Sequence, residues 1–254
     1  MTKETPAHIK EEMQKTKICI LIPTYNNEKT IEQVVSSTMN YCKDIIVVND
    51  GSTDNTKNIL EGIRDKITLI TYPKNKGKGY AIKQGFQKAR EKGFDATITM
   101  DSDGQHLAED IPLLLNAYSN NPNSLIIGQR SFNNPNMPNK NSFANRFSNF
   151  WFKLQTGKKL NDTQTGFRLY PIKKMKRMKP FNNRYEAEYE LLVRIAWKNI
   201  KLIEQPINVY YPPLEERVSH FRPTKDFVRI SLLNTFLTIA ALFYGYFSML
   251  IRKK

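Results

Sequence analysis

Residues 97–106 read Thr-Ile-Thr-Met-Asp-Ser-Asp-Gly-Gln-His. The β-branched residues Thr97–Thr99 predict a short strand that stops before Asp101 and Asp103. Alternate residues of an extended segment point the same way, so both carboxylates can face one spot at the strand's carboxyl end, where open α/β sheets bind ligands. Carboxylates beside Gln105 are hard oxygen ligands suited to Mg²⁺ or Mn²⁺. An isolated Asp-x-Asp can instead be a polar turn with an Asx cap.

Apolar strands alternate with amphipathic helices on both sides of this stretch. Ile18–Ile22 is continuously apolar, as expected of a strand buried on both faces of a parallel sheet. Further strands are predicted at Asp44–Val48, Ile67–Tyr72, Ser124–Gln129 and Leu202–Tyr211, and helices at Glu28–Tyr41, Asn55–Arg64, Ala81–Lys92, Asp110–Tyr118, Phe143–Leu154 and Arg184–Asn199. This alternation predicts βαβ units and a doubly wound α/β sheet. Neither a Gly-x-Gly-x-x-Gly after the first strand nor a Walker spacing occurs, which argues against NAD and P-loop sites.

The composition indicates a globular protein with an anionic partner. The chain has 254 residues, of which 40% are hydrophobic, and a formal net charge of +15. Such a charge favours nucleic acid, a nucleotide ligand or an anionic membrane surface. The two cysteines, Cys19 and Cys42, lie in or near apolar runs and are interpreted as reduced core residues of a cytosolic compartment. Between Ile111 and Tyr185 the only acidic residue is Asp162, which marks it for attention.

The two ends of the chain differ in character. Residues 1–17 are polar and charged without an apolar core, so we expect a flexible lead-in and no secretory signal. Residues 231–251 contain no charged residue, and about 20 apolar residues can span a bilayer core. A helix lying in the membrane interface and a helix buried against the domain are the alternatives. Basic residues flank the segment on both sides, so charge does not settle its orientation.

Four motifs occur in order at strand ends or loops, and together they carry a resemblance. They are Pro23–Glu28 (PTYNNE), Val47–Asp54 (VVNDGSTD), Asp101–His106 (DSDGQH) and Asp162–Arg168 (DTQTGFR). From Ile18 to Ile207 the chain resembles the family 2 glycosyltransferases of GT-A fold, in particular the dolichyl-phosphate mannose synthase-like branch. The resemblance implies a mixed sheet flanked by helices. The expected division is a catalytic domain at 18–212, a basic connector at 213–230, an apolar membrane-associated helix at 231–251 and a basic end at 252–254.

The resemblance also implies a reaction and a donor site. Such enzymes move a sugar from a nucleotide diphosphate to an acceptor with inversion, and charge builds up on the diphosphate. Asp103 and Gln105 would be the ligands of Mg²⁺ or Mn²⁺, and Asp101 would face the sugar or the ribose. The remaining donor-site candidates are Pro23, Tyr25 and Glu28 around the base and ribose, Asp50 as a hydrogen-bond partner of either, and Lys78 near a phosphate. Asp50 could instead cap the following helix, and Lys78 could be a solvated lysine.

Three arginines are candidates for gripping phosphate, since a guanidinium binds phosphate through two parallel hydrogen bonds. Arg130 and Arg168 would fix a donor or acceptor phosphate, although Arg168 could instead tie its loop to a neighbouring carboxylate. Arg222 precedes the apolar tail, where a lipid phosphate would lie. Here residues 217–222 (RVSHFR) depart from the Gly-Glu-Ser-Lys element usual in the mannose synthases.

The acceptor decides whether a general base is needed. A polyprenyl phosphate is already anionic near neutral pH and needs none, whereas a sugar hydroxyl must lose a proton to a nearby carboxylate. Asp162 and Glu188 are the candidate bases; the alternatives are that Asp162 orients Arg168 and that Glu188 forms a salt bridge on its helix.

We expect transfer to a polyprenyl phosphate at the cytosolic face of a membrane, such as a bacterial inner membrane. Transfer to a sugar hydroxyl of a glycan or glycolipid is the alternative. A basic nucleic-acid-binding module is disfavoured, because the acidic residues cluster at strand ends and no stacking-aromatic motif accompanies the basic run. A nonenzymatic membrane scaffold would leave Asp101 and Asp103 unexplained.

Overall fold

The computed structural model describes residues 5–131, 139–176, 178, 180–211 and 223–251. The strands are β1 (Ile18–Thr24), β2 (Ile45–Asn49), β3 (Thr68–Thr71), β4 (Ala96–Thr99), β5 (Leu125–Arg130), β6 (Arg168–Tyr170) and β7 (Leu202–Ile207). The helices are α1 (Pro6–Lys15), α2 (Ile31–Met39), α3 (Thr56–Gly62), α4 (Lys78–Glu91), α5 (Ile111–Asn120), α6 (Asn139–Thr156), α7 (Glu186–Trp197), α8 (Pro223–Ala240) and α9 (Tyr246–Ile251). A π-helical segment, Ala241–Gly245, joins α8 to α9.

The strands form one mixed sheet in the order β3-β2-β1-β4-β6-β5-β7. Strand β6 runs antiparallel to both of its neighbours, β4 and β5, and the other neighbouring pairs are parallel. The prediction of a mixed sheet flanked by helices is confirmed.

Strand β1 divides the core into two layers. All seven of its residues are buried, and successive side chains of a strand point to opposite faces. Cys19 and Leu21 pack with residues of α4, α6, α7 and α8, whereas Ile18, Ile20 and Ile22 pack with residues of α1, α2, α3 and α5. The continuously apolar sequence of β1 therefore reflects helices on both faces of the sheet.

The direction of β6 positions the candidate site. An antiparallel strand begins at the sheet edge where its parallel neighbours end. The loop that precedes β6 therefore lies beside the carboxyl end of β4, and Thr99 Oγ1 donates a hydrogen bond to the carbonyl of Gly166 at 2.7 Å. Residues 67 positions apart in sequence are brought together in this way.

The N-terminal segment differs from the flexible lead-in that its polar composition predicts. Residues 6–15 form α1, with Pro6 in the first turn and the Thr5 side chain accepting a hydrogen bond from the His8 backbone N–H. Ile9 and Met13 lie one helical turn apart and are fully buried in the α2/α5 layer of the core. This apolar pair accounts for the order of an otherwise charged segment.

The apolar C-terminal helix is present and packs partly on the domain. Val228–Ile251 is long and apolar enough to cross a membrane, with a mean hydropathy of 1.5 and 28% of that window buried. Leu233, Leu237 and Ala241 belong to the same core layer as α4 and α7. The connector predicted at 213–230 lies largely outside the described residues.

Candidate active site

The two carboxylates of the Asp-x-Asp motif follow β4, at the middle of the sheet. The Asp101 backbone N–H donates to His106 Nδ1 at 3.1 Å, and Asp103 Oδ1 accepts from the Gln105 backbone N–H at 3.0 Å. Gly104 has φ +78°, a conformation that glycine adopts readily. The loop therefore turns back so that His106 supports the peptide of Asp101, while its ring stacks on Phe167 with centroids 5.1 Å apart.

Lys78 lies between two carboxylates at the carboxyl end of β4. Its Nζ is 2.6 Å from Asp101 Oδ1 and 2.8 Å from Glu188 Oε2, and the three side chains are 12–26% exposed. Lys78 is the first residue of α4 and Glu188 lies in the first turn of α7. This lysine, predicted either to reach a phosphate or to be solvated, is instead the centre of an ion-pair cluster.

The carboxyl groups of Asp101 and Asp103 are shifted in opposite directions. Burial opposes ionisation of Asp101, but the charge of Lys78 brings its pKa below the usual value. Burial and then the charge of Asp101 raise the pKa of Asp103. Neighbouring carboxylates that resist ionising together are suited to a cation.

The donor set fits a divalent ion that is shared with a substrate. Asp103 and Gln105 supply hard oxygen atoms, and Mg²⁺ is commonly bound by one or two carboxylates together with substrate phosphates. Among the described residues, no group of three or more histidine, cysteine or acidic side chains could hold a metal alone. A cation here would therefore need oxygen atoms from a ligand.

We expect Lys78→Met to destabilise the protein by about 3 kcal/mol at pH 7, because removing one partner of a buried ion pair leaves the other charge uncompensated. The lowered pKa of Asp101 means that its contribution to stability is present above the unfolded value of about 4 and is lost as the pH falls below it. The raised pKa of Lys78 keeps its contribution intact up to alkaline pH. Urea unfolding at several pH values should therefore show a difference in the free energy of unfolding between the wild type and Lys78→Met that is complete at pH 7 and shrinks below about pH 4.

Lys88→Met is the matched control for this prediction. Lys88 lies on the same helix, and its ion pair with Glu91 is 41% and 50% exposed, so its removal should change stability by less than about 1 kcal/mol. An equal loss of stability in both variants would contradict the buried cluster. So would a loss of stability in Lys78→Met that is the same at every pH.

Asp50 fixes the turn that leads into α4. Its two carboxylate oxygens accept from the backbone N–H groups of Lys76 (2.9 Å) and Gly77 (2.6 Å), and Gly77 has φ +103°. Burial raises the pKa of Asp50 despite these hydrogen bonds. Asp50 thus caps the turn before α4 and not the helix that follows it in sequence. Both of its carboxylate oxygens take part in these contacts, and its hydrogen bond to a base or ribose stays a prediction.

The first two motifs are joined to each other beside β1 and β2. The Asn55 backbone N–H donates to Glu28 Oε2 at 2.9 Å, and the Glu28 backbone N–H donates to Asp54 Oδ2 at 3.2 Å. Pro23 is buried within β1, and Tyr25 follows the strand, half-buried. The residues predicted to line a base pocket therefore share one sheet edge, and Glu28 also ties the two loops together.

Asp162 and Arg130, predicted separately, bind each other. Arg130 Nε and Nη2 donate to the two Asp162 oxygens at 2.7 and 2.9 Å. The same carboxylate accepts from the backbone N–H groups of Arg130, Gln164 and Thr165, and it is fully buried. Asp162 therefore organises the loop before β6.

Arg168 lies in a different place from that expected of a phosphate-binding arginine. It is fully buried, and its guanidinium donates to the carbonyls of Thr163 (2.8 Å) and Glu188 (3.1 Å) and to the Tyr170 hydroxyl (3.2 Å). Because its side chain occupies the space between the loop and α7, it positions Glu188 instead of facing a ligand. The prediction of direct phosphate contact is not supported by this geometry. Arg222 lies outside the described residues.

Gly166 is a site residue whose role the motif alone could not reveal. A Cβ built there would lie 2.6 Å from Asp101 Oδ2 and 2.9 Å from Oδ1, so the Asp101 carboxylate rests directly on the Gly166 backbone. Glu204 was also missed: it accepts from the backbone N–H groups of Asn161 and Asp162 at 2.6 and 3.0 Å. No local pattern in β7 signals that contact.

The mixed seven-stranded sheet flanked by helices has a GT-A-like fold, the class found in nucleotide-sugar transferases. A solved structure of glucosyl-3-phosphoglycerate synthase from Mycobacterium tuberculosis, in complex with Mn²⁺, uridine diphosphate and glucosyl-3-phosphoglycerate, is similar with a TM-score of 0.63. It has 17% sequence identity over 95% of this chain and 84% of that one. The chain belongs to glycosyl transferase family 2, whose model matches residues 19–179.

Two characterised members of the family are similar to this chain in sequence. The UDP-N-acetylglucosamine–dolichyl-phosphate N-acetylglucosaminyltransferase of Methanococcus voltae is 34% identical over 217 residues, covering 76% of this chain and 86% of that protein. The polyprenol monophosphomannose synthase of Mycolicibacterium smegmatis is 27% identical over 160 residues, covering 59% and 60% respectively. The predicted family and enzyme class are confirmed, and membership in this family disfavours the nucleic-acid-binding alternative.

Proposed function

We propose that this family 2 glycosyltransferase transfers a sugar, with inversion, from a nucleotide diphosphate sugar to a polyprenyl phosphate. The observation that carries the choice of acceptor is that both candidate bases are ion-paired: Glu188 with Lys78 at 2.8 Å, and Asp162 with Arg130 at 2.7 Å. The names of the relatives from M. voltae and M. smegmatis support the same acceptor class.

The ion pairs bear on the acceptor because a hydroxyl must give up its proton during attack. A proton accepted by Glu188 or Asp162 would be taken at the cost of its ion pair, and Asp162 already accepts three backbone hydrogen bonds. A phosphate oxygen attacks as an anion and needs no such step. The site is therefore better suited to a lipid phosphate than to a sugar hydroxyl.

For the donor, we propose that Asp103 and Gln105 hold Mg²⁺ or Mn²⁺, with Asp101 facing the sugar. The bound ion would stabilise negative charge on the diphosphate leaving group. Pro23 and Tyr25 would line the base and ribose pocket. Lys78, by pairing with Asp101, would hold that carboxylate in place, and its ammonium lies close enough to the motif to attract a phosphate.

The acceptor side rests on charge and on the C-terminal helix. Arg130 ends β5 with its side chain 15% exposed, and we propose that it and Arg222 favour an anionic acceptor. The apolar helix at Val228–Ile251 would bring the enzyme to the membrane that contains the lipid. Cys19 and Cys42 are free and buried, which fits a reducing compartment and hence the cytosolic face. A bacterial inner membrane stays a prediction.

The proposal is tested with the purified full chain, a panel of radiolabelled nucleotide sugars that includes UDP-N-acetylglucosamine, Mn²⁺ or Mg²⁺, and a polyprenyl phosphate. We expect label to become extractable into organic solvent with at least one donor, and to be lost with EDTA. The matched control is the corresponding polyprenol, which has a hydroxyl instead of the phosphate. Transfer to the polyprenol would contradict the proposal. Transfer to a soluble glycan supplied in place of the lipid, with none to the polyprenyl phosphate, would contradict it as well.

Glu188→Gln separates the two acceptor classes further. With an anionic acceptor we expect a loss of about tenfold or less, caused by weaker support of Lys78. Loss of a general base costs about 10²–10⁴-fold, so a loss of that size, together with a changed pH profile, would favour a hydroxyl acceptor.

A further inference from the structure

The C-terminal helix is attached to the domain by a line of polar contacts. Gln155 Nε2 donates to the backbone and side-chain oxygens of Asn234, both at 3.2 Å, and Gln155 Oε1 accepts from the Tyr189 hydroxyl at 2.9 Å. Ser248 Oγ donates to the carbonyl of Trp197 at 3.1 Å. We name this set of contacts, between α6 and α7 on one side and residues 234–248 on the other, the seam.

Close packing accompanies the seam. A Cβ added at Gly245, in the π-helical segment, would lie 2.5 Å from the Trp197 ring, so the helix backbone rests on the indole. Gln155 is fully buried, and Asn234 and Ser248 are 3% and 7% exposed. The helix is thus a fitted part of the domain from Asn234 to Ser248, about 21 Å at 1.5 Å per residue.

The opposite side of the same helix is strongly apolar and exposed. Leu242, Phe243 and Phe247 are 68%, 83% and 64% exposed. Its other exposed apolar residues are Val228, Leu232, Phe236, Ile239, Leu250 and Ile251. A contiguous exposed apolar surface of this kind marks an interaction site with protein or membrane.

Helix α6 continues this surface towards the active site. Phe143, Phe150 and Leu154 are 67%, 60% and 44% exposed and share one helical face by their spacing of seven and four. Leu154 adjoins the C-terminal helix, because its carbonyl accepts from the Tyr246 hydroxyl. On its inner side α6 contacts the loop before β6, where Asn149 Nδ2 donates to the Asn161 carbonyl at 2.8 Å.

The seam is incompatible with a helix that crosses the bilayer while docked. In that arrangement α6 and α7 would sit at the depth of the hydrocarbon core, together with the exposed Lys153 and the half-buried Lys198. A charged side chain at that depth is strongly unfavourable. A helix lying parallel to the membrane keeps the seam intact and places its exposed side among the acyl chains.

We propose that α6, α8 and α9 form one monotopic membrane face, inserted into a single leaflet whose anionic headgroups contact Arg146 and Lys153. Both cations are exposed on the outer side of α6, between the apolar residues. The inference deepens the membrane association of the proposed function and rests on it. It also gives a reason for the position of α6: a lipid phosphate in that leaflet would lie beside the loop that carries Asp162.

The test uses the depth of single fluorescent labels in vesicles containing anionic phospholipid. Native Cys19 and Cys42 do not interfere, since burial raises the pKa of each thiol to about 12. Labels on F150C and F243C should shift to the blue and be quenched by shallow lipid-borne quenchers to a similar degree. A label on E61C, on the exposed surface of α3 in the opposite helical layer, should not respond.

Other outcomes are distinct. A label on I251C that only quenchers inside the vesicle can reach would show a spanning helix and overturn the proposal. A blue shift without vesicles that grows with protein concentration would show a second copy on this face and overturn it as well. These readouts require no transfer activity, so vesicle binding by an inactive enzyme would refute the proposed function while leaving the membrane face standing.

A charge substitution gives the second measurement. Phe150→Glu with Phe243→Glu should weaken vesicle partitioning at least tenfold, because each substitution replaces an aromatic side chain that enters the acyl chains with a negative charge. Leu113→Glu is the matched control, because Leu113 is a 38% exposed apolar residue of α5 in the opposite layer. Equal partitioning of all three proteins would exclude insertion by this face.

Discussion

Asp103→Asn should reduce sugar transfer by about a thousandfold, the upper range for removing one group that stabilises transition-state charge. It should at the same time raise the free energy of unfolding of the metal-free protein at pH 7. The transfer is lost because the neutral amide of asparagine lacks the negative charge with which the Asp103 carboxylate attracts a divalent ion. The gain in stability follows from the raised pKa of Asp103, caused by burial and then by the charge of Asp101.

The pH dependence of that gain has a definite sign. A carboxyl group whose pKa is higher in the folded than in the unfolded protein destabilises the fold above both values, and this penalty vanishes below the unfolded value of about 4. The Asn variant should therefore exceed the wild type in thermal unfolding at pH 7, with the difference closing as the pH falls towards 4. Divalent ions added together with a nucleoside diphosphate should reverse this difference, because the complex should bind and stabilise the wild type more than the variant.

Asp65→Asn provides the control for Asp103→Asn, because Asp65 is exposed in a short 3₁₀ helix between α3 and β3 and belongs to none of the four motifs. We expect it to change neither transfer nor stability by much. If Asp103→Asn were as active as the wild type, the assignment of Asp103 as a metal ligand would be wrong. If the variant were less stable than the wild type at pH 7, the claim that ionised Asp103 destabilises the metal-free protein would be wrong.

Gly166→Ala should lower kcat/KM by about a hundredfold, the cost of misplacing a reacting group by about 1 Å. The new methyl group would lie 2.6 Å from Asp101 Oδ2, so the carboxylate must move and its contact with Lys78 must change. The backbone of Gly166 is not in the left-handed region, and the effect should therefore come from this contact and not from strain. Steady-state kinetics and calorimetric titration of the donor would measure it.

Two controls isolate the effect of Gly166→Ala. Gly62→Ala, at the end of α3, meets nothing within 4 Å and should leave transfer unchanged while stabilising the helix slightly. Combining Gly166→Ala with Asp101→Ala should cost no more activity than Asp101→Ala alone, because both act through one carboxylate. Fully additive losses would show that Gly166 acts elsewhere.

Much of the fold follows from hydrophobic periodicity, because strands β1 and β2 and helices α4 and α7 bury long apolar patterns. Strand β6 was not predicted: a three-residue segment that begins with an arginine carries no strand signal, and it is stabilised by pairing with β4 and β5. Helix α1 did carry a signal, a Thr-Pro start followed by apolar residues four apart, which the surrounding charges obscured.

The site was predicted as a set of residues but not as a set of contacts. The Asp-x-Asp motif reveals its position at a strand end, whereas the pairing of Arg130 with Asp162 depends on the packing of segments 32 residues apart. The burial of Arg168 could not be predicted either. Its three oxygen partners come from the folded chain, and the sequence alone does not distinguish such an arginine from one that binds a phosphate.

The insertion of β6 between β4 and β5 constrains the order in which the molecule can assemble. Until Tyr170 has been synthesised, β4 has an open edge on one side, because its partner there is encoded about 70 residues later. Such distant pairings form slowly, since a long loop must close first, and open strand edges invite aggregation. The nascent chain therefore completes strands β1 to β4 well before Asp101 meets Gly166, and we expect chaperone dependence to be concentrated in that interval.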